Sequence, residues 1–186
     1  MIPKIIHQIW IGKQPPAQIK AWMLTAQRLS GWEYILWNSD TLKQQYGTEF
    51  FSTYSNCNYG LQADIYRLRV LKDFGGFYLD CDCEVLKDFS NLARSKFITN
   101  ISLINNTNIC LMADFIGSEK NGRLITMCCD LAPLHVKPLD TQYNVAYITN
   151  FSRCVCLNIE HEEYLISPAF YKKYIIHHFE HSFYSK

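Results

Sequence analysis

Glycine and proline are scarce, 8 and 6 in 186 residues, so long flexible linkers are not expected. Net charge is also missing. Against 17 acidic residues stand 18 basic ones, a formal charge of +1, which removes the electrostatic basis for a nucleic-acid partner, whose grip rests on a basic surface. No apolar run approaches the ~18 residues that cross a bilayer, so no transmembrane segment is expected. The opening Met1-Ile2-Pro3-Lys4 runs straight into a stretch that His7 and Gln8 break too soon for the core of a secretory leader. Cysteine is not scarce, at 8 residues, but its spacing excludes the usual roles. Cys128-Cys129 are adjacent, and Cys81/Cys83 and Cys154/Cys156 stand at i, i+2, which matches no zinc pattern. A chain of this length builds a core without disulfide staples. The cysteines therefore read as small buried hydrophobes and reduced thiols, and the compartment as cytoplasmic.

What is present is apolar sequence of one-domain length, so residues 1–186 are expected to form a single domain with a radius of gyration of about 16 Å. Residues 4–11 are a mostly apolar run closed by Gly12 and Pro15-Pro16, the pattern of a buried strand ending in a loop. A helix is predicted over 17–29, where Ile19, Trp22, Met23, Ala26 and Leu29 recur at helical spacing and Gly31 follows the end. Residues 32–37 form a second apolar strand, with Ser39 or Asp40 able to cap a short helix after it. This is a β-α-β unit. Residues 61–74 read as a helix that is apolar nearly all round, stopped by Gly75-Gly76, with Asp64 and Arg67 on one face. After the glycines, 77–80 returns to strand character and runs on to 86. Alternation along it would put Tyr78, Asp80 and Asp82 on one side and Phe77, Leu79 and Cys81 on the other. Further strands are expected over 101–104 and 109–116 around an Asn-rich turn at 105–108, and a last one over 174–179.

The densest polar cluster in an apolar setting is Asp64, Arg67, Tyr78, Asp80 and Asp82. Two carboxylates one residue apart at a strand end can hold a hard divalent cation, which often shares its other positions with substrate phosphates. The Asp-x-Asp motif alone carries little weight, since nine aspartates in this chain give about 0.4 such pairs by chance. Its setting carries more: a helix with internal Asp64 and Arg67, two glycines, then an apolar strand delivering both aspartates. Asp64 and Arg67 form either an internal ion pair or part of a lined site.

Ala63-Asp64-Ile65-Tyr66-Arg67-Leu68-Arg69-Val70-Leu71, Gly75-Gly76 and Tyr78-Leu79-Asp80-Cys81-Asp82 together resemble the sugar-binding DXD region of family 32 glycosyltransferases. That family includes bacterial capsule and lipopolysaccharide enzymes and yeast mannosyltransferases, and the clostridial glucosylating toxins carry a similar run. The opening Ile2-Pro3-Lys4-Ile5-Ile6-His7-Gln8-Ile9-Trp10 resembles the family's first strand, and Ile176-His177-His178-Phe179 with Ser182-Phe183 its closing segment. The resemblance implies a GT-A-type fold, a Rossmann-like mixed sheet flanked by helices, together with a nucleotide-sugar donor, a Mn2+ or Mg2+ ion, and retention of anomeric configuration. By it, Trp10 would stack on the nucleotide base, Asp64 and Arg67 would hydrogen-bond donor sugar or phosphate, and Tyr78 would line the nucleotide site. Asp80 would reach ribose or the metal shell and Asp82 would ligate the metal. His177 would complete the metal or diphosphate shell, with His178 the neighbour that a slip of one residue would exchange for it, and Ser182 would reach a phosphate oxygen.

Each residue has a plainer reading beside that one: Trp10 a core indole, Tyr78 a packing residue, either histidine a structural one, Ser182 a surface serine. Phe183 stands where the family carries Trp, and a Gly-Pro motif usual before the last third is missing; both fall where the acceptor, a glycan or another hydroxyl compound, would bind. Two rivals stay in view. One is a degenerate module that binds a sugar nucleotide without turnover. The other is a haloacid-dehalogenase-like phosphatase, whose motif places Thr or Val where this chain has Glu84.

Overall fold

The computed structural model of the chain describes residues 1–104, 108–131, 164–166 and 173–178. The expected β-α-β unit opens it: β1 (Ile5–Ile9), α1 (Ala17–Gln27) and β2 (Glu33–Trp37), with the two strands parallel and in register from Ile5↔Glu33 to Ile9↔Trp37. α1 follows Pro16 and buries Ile19, Trp22, Met23 and Ala26, the stripe its periodicity implied. α2 (Ser39–Tyr46) is capped by Asn38, one residue before the nearer of the two expected caps. Asn38 accepts from the N–H groups of Asp40 and Thr41 while Thr41 Oγ1 accepts from the Asn38 N–H, a reciprocal capping box that leaves Ser39 and Asp40 inside the helix. A short α3 (Thr48–Thr53) follows, which the sequence reading passed over.

α4 (Tyr59–Phe74) starts two residues ahead of the expected 61, because Asn58 caps it by accepting from the Leu61 N–H at 2.8 Å. It ends at Gly75, where φ is +69°, followed by Gly76 at +99°. A Cβ on Gly75 would stand 2.7 Å from the Lys120 nitrogen, and one on Gly76 2.6 Å from the Ile5 oxygen. Only glycine lets the chain leave α4 and enter β3 (Gly76–Leu79) flush against β1. Beyond it lie β4 (Cys83–Val85), a 3-10 turn (Ser90–Arg94), β5 (Phe97–Ile104) and β6 (Asn108–Ser118), then α5 (Arg123–Leu131), β7 (Tyr164–Ile166) and β8 (Ile175–His177). β5 is longer than the expected 101–104, and α5 was not expected at all; residues 105–107 of the Asn-rich turn lie outside the described residues.

Among the described residues the main sheet has the order β2-β1-β3-β6-β5-β7, and β4 pairs with β8 in a separate two-stranded ribbon. β1 runs parallel to β2 and β3, β6 antiparallel to β3 and β5, and β7 parallel to β5. The sheet is mixed, and helices cover both faces. On one face Tyr78 packs with Tyr66, Val70 and Leu71 of α4 and with Leu124 and Cys128 of α5. On the other, Phe77 and Leu79 pack with Phe89, Phe115 and Ile175 and with Ala26 of α1. Each such buried side chain contributes roughly 1.5–3 kcal/mol of apolar burial.

His7 is among the polar residues buried inside the protein. His7 on β1 is fully buried; the Trp37 indole N–H donates to its Nδ1 at 3.1 Å, so its Nε2 carries the proton and donates to the Gly75 carbonyl at 2.8 Å. Burial pushes the imidazole down to about 4, although the Gly75 hydrogen bond pulls the other way.

Candidate active site

The carboxyl ends of β1 and β3 lie side by side, the edge where open α/β sheets hold their ligands. β3 stops at Leu79, so the expected alternation does not carry through to Asp82. The chain turns instead, with the Cys83 N–H donating to the Asp80 carbonyl at 3.0 Å, and this turn presents both Asp80 and Asp82. Gln8 of β1 pins it by donating from Nε2 to the same carbonyl at 3.1 Å, and Tyr34 Oη donates to Gln8 Oε1 at 2.8 Å.

α4 supplies a cation to this edge. Arg67, 5 % exposed, reaches Asp64 Oδ1 at 2.5 Å and Asp80 Oδ1 at 3.2 Å through one terminal nitrogen, and donates to the Ala113 carbonyl through the other. Its guanidinium carbon lies 4.5 Å from the Tyr78 ring centre, and Tyr78 Oη donates to Asp80 Oδ1 at 2.8 Å. Of the two readings of Asp64 and Arg67, the ion pair is present, and it extends to Asp80. Burial lifts the Asp64 carboxyl to about 6 against the pull of Arg67, and burial also raises Asp80 while Arg67 and His177 oppose it.

The opposite wall comes from β8. His177, paired with Cys83 across the ribbon, places Nε2 3.0 Å from Asp82 Oδ1 and 3.9 Å from Asp80 Oδ2, and Nδ1 2.9 Å from Asp114 Oδ2. Burial would lower its imidazole, but the Asp114 and Asp82 carboxylates against its two nitrogens outweigh that and lift it to about 10. His178 turns away: it stacks on Trp22 at 3.9 Å between ring centres and meets Glu84 Oε2 at 3.1 Å. Between the two histidines, His177 is the one brought to the aspartates. Trp10 is half-buried against Ile19, Trp22, Met23 and Cys81, its indole N–H donating to the Lys13 carbonyl. Ser182 lies outside the described residues.

Asp114 and Asn100 were missed in the sequence reading. Asp114 is 3 % exposed and was legible only as the single carboxylate inside the apolar run of β6. Asn100 is fully buried, and among the described residues neither its amide nitrogen nor its oxygen has a hydrogen-bond partner.

The donor set suits a hard divalent ion. His177 Nε2 lies 3.0 Å from an Asp82 oxygen and 3.9 Å from an Asp80 oxygen, and carboxylate oxygens with an imidazole nitrogen are ligand chemistry suited to Mn2+. Cys83 lies close enough to join Asp82 and His177. Its sulfur is a soft donor, however, which suits Mn2+ and Mg2+ less well than carboxylate oxygen does.

An acidic turn at the carboxyl edge of a mixed α/β sheet, faced by a histidine from a late strand, defines a DXD-type site. Comparison with known proteins gives the same class. A family described as "Glycosyltransferase sugar-binding region containing DXD motif" matches residues 6–98, half of the chain. The chain belongs to this family. Its relatives include an uncharacterized glycosyltransferase of Acanthamoeba polyphaga mimivirus, 29 % identical over 129 residues that cover 65 % of this chain and 51 % of that protein. Inositol phosphoceramide mannosyltransferase 3 of Schizosaccharomyces pombe is 33 % identical over 86 residues, 44 % of this chain and 24 % of its own length. This chain thus spans about half or less of the curated relatives' length. Among solved structures, the PaToxG glycosyltransferase superposes with a TM-score of 0.61 at 22 % identity, covering 85 % of this chain and 69 % of that one. That likeness shows the fold, which is GT-A-type.

Proposed function

We propose that residues 1–186 form one catalytic domain that moves a hexose from a nucleotide sugar to a hydroxyl acceptor, a glycan or a similar compound, with retention of configuration. The observation that carries the reading is the Asp80-Cys81-Asp82 turn with His177 Nε2 set 3.0 Å from Asp82 Oδ1. That one site joins β1, the β3–β4 turn and β8, so elements from both ends of the chain are needed to build it, which supports a single domain.

Asp82 and His177, with Asp80, would hold the cation. When bound, the ion supplies positive charge against the departing diphosphate. Everything else falls to the chain's own groups. Arg67 holds the Asp64 and Asp80 carboxylates in place, so that Asp64 can accept hydrogen bonds from donor hydroxyls and Asp80 from ribose. Tyr78 Oη fixes the second of these. Trp10, at the end of β1, offers a half-exposed ring for the base. The aspartates at the site are already engaged: Asp64 and Asp80 with Arg67, Asp82 and Asp114 with His177. Among the described residues none of these aspartates is left to deprotonate an acceptor from the far face, which supports attack from the leaving-group side, with the leaving phosphate taking that proton.

A UDP-hexose donor is the first reading. GDP-mannose is the second, favoured by relatives whose names describe mannosyltransferases. Among the described residues no helix is long and apolar enough to cross a membrane, and Cys81, Cys83 and Cys129 are free thiols, which supports a reducing, cytoplasmic setting. The test compares wild type with Asp82→Asn for release of UDP and GDP from their sugar nucleotides with Mn2+. Wild type is expected to turn over one donor, with a loss of at least ~100-fold in the variant. Binding with no turnover in wild type would point to the non-catalytic module, and equal turnover in both proteins would refute the metal assignment.

A further inference from the structure

Asp114 has no part in the donor chemistry above, yet it is 3 % exposed and lies 2.9 Å from His177 Nδ1. Its place in β6 is not regular. Thr99 of β5 pairs with Ile116 of β6, but the next residue, Asn100, pairs with Met112. Residues 113–115 therefore bow out of the β5–β6 ladder, the kind of irregularity that re-aims side chains beside active sites. The bow is used at several points. The Ala113 carbonyl accepts from Arg67, the Asp114 carbonyl accepts from the Asp80 N–H at 2.9 Å, and the Asp114 carboxylate meets His177.

The geometry decides which nitrogen of His177 is available. A cation held by Asp82 needs the lone pair of Nε2, the atom 3.0 Å from Asp82 Oδ1. The ring proton must then sit on Nδ1. A carboxylate facing Nδ1 keeps it there, fixes the ring plane and makes Nε2 a better donor to a metal. We propose that Asp114 is a positioning residue: it accepts the Nδ1–H of His177 and so directs Nε2 to the cation beside Asp82. This rests on the reading of Asp82 and His177 as metal ligands, and the experiment separates the two.

Mn2+ affinity is measured by EPR of the free ion, with UDP and, in parallel, GDP present, for wild type, Asp82→Asn, Asp114→Asn, Asp114→Ala, His177→Ala and the double variant Asp114→Asn/His177→Ala. Melting temperatures are recorded for all. Loss of a carboxylate behind a ligating histidine costs ~10–100-fold in metal affinity, so Asp114→Ala is expected in that range. Asp114→Asn, whose amide oxygen can still accept the Nδ1–H without the charge, is expected to recover part of the loss. In the His177→Ala background the Asp114 change should cost nothing further, because its effect passes through the imidazole. A merely structural role would lower the melting temperature and leave the affinity of the folded protein unchanged. Wild-type Mn2+ affinity in Asp114→Ala overturns the inference, as does wild-type affinity in Asp114→Asn should the alanine variant fail to fold, or a further loss in the double variant. If Asp82→Asn keeps wild-type affinity, the metal reading itself falls and this inference with it; if Asp82→Asn and His177→Ala lose the ion and the Asp114 variants do not, the inference about Asp114 alone is refuted.

Discussion

Replacing Arg67 with methionine keeps most of the side-chain volume and removes the charge that sits between Asp64 and Asp80. Arg67 and its partners are largely out of water, with side-chain exposures of 6 %, 14 % and 18 % for Arg67, Asp64 and Asp80. Breaking a buried pair from one side leaves the remaining charge uncompensated, at a cost of about 3–5 kcal/mol. For a chain of this size that corresponds to a fall in Tm of roughly 6–20 °C. The pH dependence gives a sharper check. The Asp64 carboxyl is raised from 3.8 to about 6 by burial, even with Arg67 opposing. The folded state therefore binds more protons than the unfolded one between those values, and ionising Asp64 costs about 3 kcal/mol of stability as pH rises through that window. Without the guanidinium the carboxyl moves higher still, and a neutral carboxyl does not need the cation. The damage should thus be small at pH 5 and large at pH 8. Urea denaturation of both proteins at the two pH values measures it, with the m-value checked for constancy. Arg67→Met/Asp64→Asn should regain part of the loss at pH 8, because one orphaned charge is gone. A loss below about 1 kcal/mol at both pH values, with sugar-nucleotide affinity abolished, would refute the reasoning and make Arg67 a donor ligand held by nothing else.

His7 acts on stability in the opposite direction. Its folded value of about 4 lies below the ordinary 6.5, so the unfolded chain binds the extra proton and about 3 kcal/mol is lost as pH falls from 6.5 to 4; His7→Gln should flatten that limb of the stability profile. Gly76→Ala meets both a φ of +99° and the Ile5 oxygen at 2.6 Å, and should cost roughly 2 kcal/mol or more by urea denaturation. A cost below about 0.5 kcal/mol would mean that the β1–β3 contact gives way easily. Proton NMR of the first-formed product should show an α-linked hexose from an α-linked donor, whereas a β-linked product would refute the same-face mechanism.

Local pattern alone was enough for β1, α1, β2 and α4, because each carries its own period and its own stop signal: prolines before α1, Gly31 beyond it, and Gly75-Gly76 after α4. The same pattern exposed Asp64, Arg67, Asp80 and Asp82, since charges in apolar elements stand out in a linear reading. It misjudged how the aspartates are presented, because a strand extrapolated by alternation has no way to register that the Asp80 carbonyl would rather close a turn onto Cys83. It left His177 and His178 unresolved for a related reason: adjacent residues on a strand face opposite ways, and which face is inward depends on the pairing of β8 with β4. Asp114 lay beyond it entirely. Its meeting with His177 depends on a register shift in β6 and on a ribbon that closes through a strand far along the chain, and contacts of that range are decided by packing, not by neighbours in sequence.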